Sequence, residues 1–321
     1  MRIAIVGPAH PYKGGGARHT TELAHRLAAA GHDVIIESWR AQYPRRLYPG
    51  QQTVDVPEGE PYPRTRRRLA WYRPDGWLAE GRRLKTADLV VFVLLTRAGT
   101  VITHSAVQAA QAKDLAPGAT VRTVAMPPHL PATARQDNDH NERGRVPHPA
   151  HCRLLFFGLV RPYKGLDLLL RALAQAPPRV TLTVAGEFWG GTEATEKLIA
   201  DLGLTDRVTL RPGYVPADQI PALFAAADAL VLPYREATAS QNALLAFANG
   251  VPVVTTTAGA LAESVRDGVD GLTCAPGDVE DLLRVLTAIS DPATLSRLRA
   301  GVPAVDPDPA WAAYLRVLLA G

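Results

Sequence analysis

The residues of this chain best suited to chemistry are cations and glycines placed where short aliphatic runs end. Arg161 and Lys164 flank a Pro-Tyr turn between the apolar run at 154–157 and a helical pattern that starts at Leu166. Only five of the 35 basic residues are lysine, so a lysine inside such a turn stands out against an arginine background. Two cations at the end of a strand suit an anionic ligand, and would stabilise negative charge that grows on a leaving group as its bond breaks. Arg161 also reads as a solvated surface residue, and the functional reading is the stronger one for Lys164. Ser240, Gln241 and Asn242 open a helix whose free amides can hold a phosphate or sugar oxygen. Gly14, Gly15 and Gly16 follow the first strand and permit close backbone approach to a ligand, although a plain strand-to-helix turn would need only one of them. His10, His19 and His104 occupy ligand-edge positions, where a lone histidine is more often structural than catalytic.

These residues need elements to position them. Residues 1–8 read as a buried parallel strand, an aliphatic run closed by Gly-Pro. A glycine turn, a helix at 20–30 capped by Gly31 and a strand at 34–36 complete one βαβ unit, with its glycines at the carboxyl edge where open parallel sheets bind ligands. Residues 40–86 are rich in Pro, Arg, Tyr and Trp, with no clear element before a helix at 74–85. The sheet resumes at 87–93, followed by strands at 101–103 and 121–124 around a helix at 105–115. Residues 131–151 hold hardly an aliphatic side chain larger than alanine and read as a linker. Beyond it, strands and helices alternate from 154 to 288, and a separate helix at 309–319 carries Trp311 and Tyr314. The expected division is a first domain at 1–130, a linker at 131–151, a second domain at 152–304, and a closing segment at 305–321 that packs back toward the first domain.

With 321 residues, the chain has room for two well-formed cores. Its apolar runs are too short for a membrane-spanning helix, and the first is too brief for a secretory leader. Two cysteines are too few for a disulfide framework or a zinc site, so a cytoplasmic location is expected. Net charge is +4, but residues 1–150 hold 21 basic against 13 acidic residues while 151–321 hold 14 against 18. The first half is therefore suited to an anionic partner. Arg64, Arg66, Arg67, Arg68, Arg73, Arg82, Arg83 and Lys85 are interleaved with Trp71, Tyr72 and Trp77. That mixture fits peripheral attachment to anionic lipid or capture of a lipid-linked or phosphorylated acceptor, and equally a solvated arginine face. No nucleic-acid reading motif is present.

Six ordered segments carry a resemblance. They are Phe157-Gly-Leu-Val-Arg-Pro-Tyr-Lys-Gly-Leu-Asp, Val184-Ala-Gly-Glu-Phe-Trp, the stretch from Gly213-Tyr-Val-Pro to Asp228, Leu232-Pro-Tyr-Arg-Glu-Ala-Thr, Gly250-Val-Pro-Val-Val-Thr-Thr and Asp267-Gly-Val-Asp-Gly-Leu. Together they resemble the C-terminal domain of family 4 retaining glycosyltransferases. The resemblance implies a GT-B fold, with two doubly wound Rossmann-like parallel-sheet domains facing a cleft, the first of them reduced.

It also implies a nucleoside-diphosphate sugar as donor. Lys164 and Arg161 would lie at the diphosphate, and Gly186, Gly213, Tyr214, Val215, Ser240, Gln241 and Asn242 would line the donor site. Gly14 to Gly16 would face it from the other domain, and Glu236 would touch sugar hydroxyls, the alternative being an ordinary loop carboxylate. Three departures stand out. Leu159 occupies the place of the family's arginine, and Leu244 or Leu245 that of its second, ribose-holding glutamate. The chain also passes from Thr96 to Val101 where relatives insert further strands and a histidine. Glu263 matches a further family acid and is equally an electrostatic fit to a helix start.

The expected activity is retaining sugar transfer to an unidentified acceptor, with the acceptor hydroxyl deprotonated by the leaving phosphate and no side-chain nucleophile. A non-catalytic nucleotide-sugar or acceptor binding protein is the alternative. No Asp-x-Asp motif or His/Cys cluster occurs, so no metal or cofactor is expected. A sheet edge left open by the missing segment suggests a homo-oligomer.

Overall fold

The computed structural model describes residues 1–42, 53–54, 57, 59–70, 72, 74–92, 99–130, 151–237 and 240–320. Residues 131–150 of the expected linker at 131–151, Trp71, Arg73 and the junction after Thr96 fall outside them. The chain divides into two compact units, one of residues 1–102, 115–122 and 315–321, the other of residues 103–114 and 123–314.

In the first unit β1 (Arg2–Val6), α1 (Gly15–Ala29), β2 (Asp33–Ala41), β3 (Thr65–Ala70), α2 (Pro74–Leu84) and β4 (Leu89–Phe92) build a sheet of order β3-β2-β1-β4. Its pairs run parallel. All of β1 after Arg2 is buried, as a strand covered on both faces should be. α1 begins five residues earlier than the sequence pattern suggests. Gly14 stands at its N-cap with φ 96°, and Gly15 and Gly16 form its first turn. Glycine costs a helix interior about 1 kcal/mol relative to alanine, which the face of Ala17, Thr20, Leu23, Ala24 and Leu27 offsets by burial. Beyond the last turn Gly31 takes φ 86° and ends the helix.

Two expectations fail here. β2 runs on to Ala41, and β3 lies within the stretch read as irregular. Its first residues are exposed arginines, and only Leu69 and Ala70 enter the core.

The strands β5 (Thr100–Thr103) and β6 (Thr120–Thr123) form a two-stranded sheet, with α3 (Ala106–Leu115) between them in sequence. In the second unit β7 (Cys152–Phe157), α4 (Leu166–Gln175), β8 (Val180–Gly186), α5 (Glu193–Asp201), β9 (Val208–Pro212), α6 (Ile220–Ala225), β10 (Ala229–Leu232), α7 (Gln241–Ala248), β11 (Val253–Thr256) and β12 (Gly271–Cys274) follow one another. The sheet order is β12-β11-β10-β7-β8-β9, again parallel.

Alternation along β7 explains the layers. Leu154 and Phe156 join the core under α4 and α8 (Val279–Ser290), whereas Leu155 and Phe157 join the core with Leu223, Phe224 and Phe247 on the other face. The sequence pattern omits β12 and α9 (Pro292–Gly301), and within the alternating stretch Gly259–Ser264 forms a 3-10 segment.

α10 (Pro307–Leu319) closes the chain. Within the second unit Trp311 is fully buried and donates from Nε1 to the Pro128 carbonyl at 3.3 Å. The residues from Leu315 onward belong to the first unit, where Arg122 donates to the carbonyls of Val317 and Ala320. Among the described residues no helix is long and apolar enough to cross a membrane.

Candidate functional site

In the second unit the carboxyl ends of the strands meet through glycines. Gly158 follows β7 with φ 99°, and Gly186 ends β8 with φ 149°. A Cβ on Gly186 would lie 1.9 Å from the Gly158 carbonyl oxygen, so no other residue fits without moving backbone. Gly213, after β9, donates its amide to the Gly186 carbonyl at 3.0 Å. Gly165 meets Pro233 in the same way, since a Cβ there would sit 2.0 Å from the Pro233 oxygen. The loops after β7, β8, β9 and β10 thus form one continuous backbone floor.

Lys164 enters this floor from the 3-10 turn Pro162–Lys164. It is only 8% exposed, and among the described residues its ammonium has no hydrogen-bond or ion-pair partner. Its nearest aromatic face is Tyr234, with Nζ 5.2 Å from the ring centroid. Burial pulls the Lys164 pKa down, and the positive charge of Arg161 adds to the effect. A buried cation beside a second cation, with no anion, is electrostatically incomplete. A Cβ at Gly158 would lie 3.3 Å from Asn242 Nδ2 and 3.6 Å from Lys164 Nζ, so the three residues converge on one point. Asn242 Nδ2 itself donates to the Phe157 carbonyl at 3.0 Å. Arg161 lies with its guanidinium 4.0 Å over the Trp189 ring, and its buried Nε has no partner.

Arg235 is a site residue that sequence reasoning passed over. Its guanidinium donates to both carboxylate oxygens of Asp167, at 2.8 and 2.7 Å, and to the Pro162 carbonyl at 2.8 Å. Its amide donates to the Tyr163 carbonyl at 2.8 Å. The Arg235 hydrogen bonds hold the Asp167 carboxyl below the usual carboxylate range. The turn that carries Lys164 is therefore tied to the loop after β10. The signal was present in Leu232-Pro-Tyr-Arg-Glu, but its partner lies 68 residues away.

The remaining expected residues divide. Ser240 caps α7 and accepts from the Asn242 amide at 3.3 Å. Gln241 braces the segment before the linker, accepting from the His129 amide at 3.3 Å and donating to the Pro127 carbonyl at 3.2 Å. Glu236 is exposed on the loop after β10, Tyr214 is half-buried, and Val215 packs against the core. Leu244 is half-buried and Leu245 is buried in α7, where neither supplies a carboxylate.

His104 is held by its surroundings. Its Nδ1 lies 3.1 Å from the Val124 carbonyl, its ring stacks on Tyr314, and burial lowers its pKa. Gly14, Gly15, Gly16, His10 and His19 belong to the first unit. There the glycines are exposed, His19 is buried in α1, and the buried Nδ1 of His10 has no partner. Among the described residues no group of His, Cys, Asp and Glu could hold a metal ion.

Comparison with known proteins gives the segment that carries this edge a family match. Residues 151–291 match the model of the glycosyl transferases group 1. The chain is 33% identical over 220 residues to a D-inositol 3-phosphate glycosyltransferase of Mycolicibacterium vanbaalenii, covering 64% of this chain and 46% of that protein. It is 36% identical over 168 residues to D-inositol 3-phosphate glycosyltransferase 1 of Catenulispora acidiphila, covering 49% of this chain and 40% of the relative. The chain thus spans less than half the length of these curated relatives. Among solved structures it is similar to HepE of Anabaena in complex with UDP-glucose, with a TM-score of 0.71, 18% identity and full coverage of both chains. The fold is the GT-B fold, and residues 151–291 of the chain are similar to the group 1 glycosyltransferases.

Proposed function

We propose that this chain is a glycosyltransferase that moves a sugar from a nucleoside diphosphate donor to an acceptor hydroxyl with retention of configuration. The observation that carries the reading is Lys164, a buried ammonium without an anion on a glycine-lined strand edge. A diphosphate supplies the missing charge. In the transfer the acceptor oxygen bonds to the anomeric carbon, and the bond from that carbon to the diphosphate breaks. The leaving group takes the electron pair and accepts the acceptor's proton. Lys164 and Arg161 stabilise the charge that develops, and this lowers the barrier more than it tightens ground-state binding. Glu236 and Asn242 orient the donor, and the glycines at 158, 186 and 213 admit it close to the backbone. No metal or cofactor takes part.

The UDP-glucose named in the HepE structure makes UDP-hexoses the first donors to try, and the inositol phosphate named for the relatives makes a phosphorylated acceptor the first choice. A lipid-linked acceptor, contact of the arginine-rich segment with anionic membrane, a cytoplasmic location and a homo-oligomer belong to the same reading. The absence of a carboxylate at Leu244 and Leu245 favours the second reading, a non-catalytic nucleotide-sugar binder.

The test is release of nucleoside diphosphate from UDP-, GDP- and ADP-sugars with phosphorylated acceptors present, comparing the intact chain with Glu236→Ala. Turnover that falls at least tenfold in the variant supports transfer. Donor binding without turnover on any donor supports the binder.

A further inference from the structure

The first unit has its own concentration of charge, at the opposite end of its strands from the glycines. A cavity of about 420 Å³ is lined by Arg2 at the start of β1, Asp33 and Glu37 on β2, Arg64 and Arg66 at β3, and Arg82 and Arg83 at the end of α2. That volume lies within the range of small-molecule sites. Arg2, Asp33, Arg64 and the residues just before β4 are all strand beginnings, so the cavity is on the amino edge of the sheet. Gly14 lies beyond the other end of β1, a strand of about 16 Å at ~3.3 Å per residue.

Five guanidinium groups here face two carboxylates, and their internal pairing is incomplete. Arg2 pairs with Asp88 and Arg64 with Asp33 across side chains that are about half exposed, and such pairs yield readily to a competing anion. Arg82 has no ion-pair partner among the described residues. Glu37 is different: its side chain is 3% exposed, Arg66 reaches only its Oε1 at 3.4 Å, and its buried Oε2 has no partner. Glu80 is 4% exposed and shares Arg83 and Arg68, and it too has an unpartnered buried oxygen. A cavity with excess forked donors fits a planar or tetrahedral oxyanion that takes two guanidinium groups at once.

We propose that the first unit carries a second anion site, at the amino edge of its sheet, that holds a small phosphorylated ligand through Arg64, Arg66 and Arg82. The site is separate from the glycine edge of the same sheet and does not depend on the donor reading. Its ligand is an effector or a tethered group, not the diphosphate that leaves in transfer.

Calorimetry with inorganic pyrophosphate tests this on the full chain. Lys164→Ala is the background, so that the donor edge does not contribute. Binding should persist in Lys164→Ala at physiological salt, fall at least tenfold when Arg64→Gln and Arg82→Gln are added, and return in part with Arg64→Lys and Arg82→Lys. Both side chains substituted besides Lys164, Arg64 and Arg82, are on the surface, and an unchanged thermal midpoint confirms folding. No pyrophosphate binding in Lys164→Ala, or binding indifferent to the arginine changes, overturns the site. A parallel sedimentation with phosphatidylglycerol vesicles separates the sources of phosphate. Arginine-dependent vesicle binding without pyrophosphate binding would assign the patch to a lipid surface and overturn the small-ligand site.

Discussion

Lys164 shows how a single residue can be informative in both sequence and structure. In a chain whose cations are overwhelmingly arginine, it occupies a strand-to-helix turn, and folding then buries it without an anion. Gly186 complements it from the other side of the floor. Gly186→Ala would place a methyl group 1.9 Å from the Gly158 oxygen at a φ of 149°, and strain of this kind costs ~1–3 kcal/mol before the clash is counted. The expected outcome is a clear drop in thermal midpoint together with weakened nucleotide binding; Gly118→Ala, where φ is not positive and a Cβ meets nothing within 4 Å, should keep the parent's midpoint and binding. At this scale the sequence singles out Lys164 and Asn242 by type and position, and Gly186 and Gly213 through the family resemblance; folding brings all four to one strand edge. Ser240 and Gln241 open a helix whose backbone amides are the expected ligand groups, and their side chains serve the protein's own backbone, which only the contacts reveal. Arg235 was missed because what defines it is Asp167, and a bidentate pair across 68 residues leaves no local trace.

At the scale of elements, the turn Pro162–Lys164 owes its position to that pair. Asp167 carries a pKa lowered first by the Arg235 hydrogen bond. Its contribution is present above the ordinary carboxylate range and is lost as pH falls below it. Both side chains are more than a third exposed, so the effect on stability should be at most about 1 kcal/mol. The effect on function should be larger. Asp167→Asn is expected to weaken nucleoside diphosphate binding several-fold with little change in midpoint, because the turn loses its tie while the core is untouched. Equal losses in affinity and stability would contradict this division.

The strands show why other elements escaped the sequence reading. β1, β7 and β10 are continuous aliphatic runs and were found, whereas β3 is written Thr-Arg-Arg-Arg-Leu-Ala and gains its strand character from pairing with β2. The first helix was started too late because glycines at 15 and 16 argue against helix locally, and burial of the face that follows overrides them. Gly271 is pressed against the Val253 carbonyl, whose oxygen would lie 2.0 Å from a Cβ, and that contact explains the glycine at the start of β12.

At the scale of the molecule, two α/β units with different chemistry share one chain. The first is basic and contains a buried carboxyl, Glu37, whose pKa burial raises from 4.5 to about 7, with Glu80 adding to the rise and Arg66 and Arg68 opposing it. A raised carboxyl stabilises the fold fully below its unfolded pKa, and that contribution is lost as pH climbs through about 7. The loss is up to about 3 kcal/mol at 1.36 kcal/mol per unit. Denaturation of Glu37→Gln and the parent at pH 5 and pH 8 should show the variant gaining on the parent at the higher pH; parallel behaviour at both would refute the assignment. The division into a basic first half and an acidic second half was legible from charge counts alone, and the similarity of residues 151–291 to the group 1 glycosyltransferases was legible because its motifs are local. The cavity at the amino edge was not, since β3 and α2 meet β1 and β2 only in the fold.

The central claim is that the glycine edge of the second unit binds a nucleoside diphosphate through Lys164. Calorimetric titration of UDP, GDP and ADP into the intact chain and into Lys164→Ala tests it most directly. A charge-assisted contact of ~1.5–3 kcal/mol predicts that the preferred nucleotide loses about tenfold or more in affinity, with the fold intact. Unchanged affinity in the variant, or no binding of any of the three nucleotides to the parent, would contradict the account.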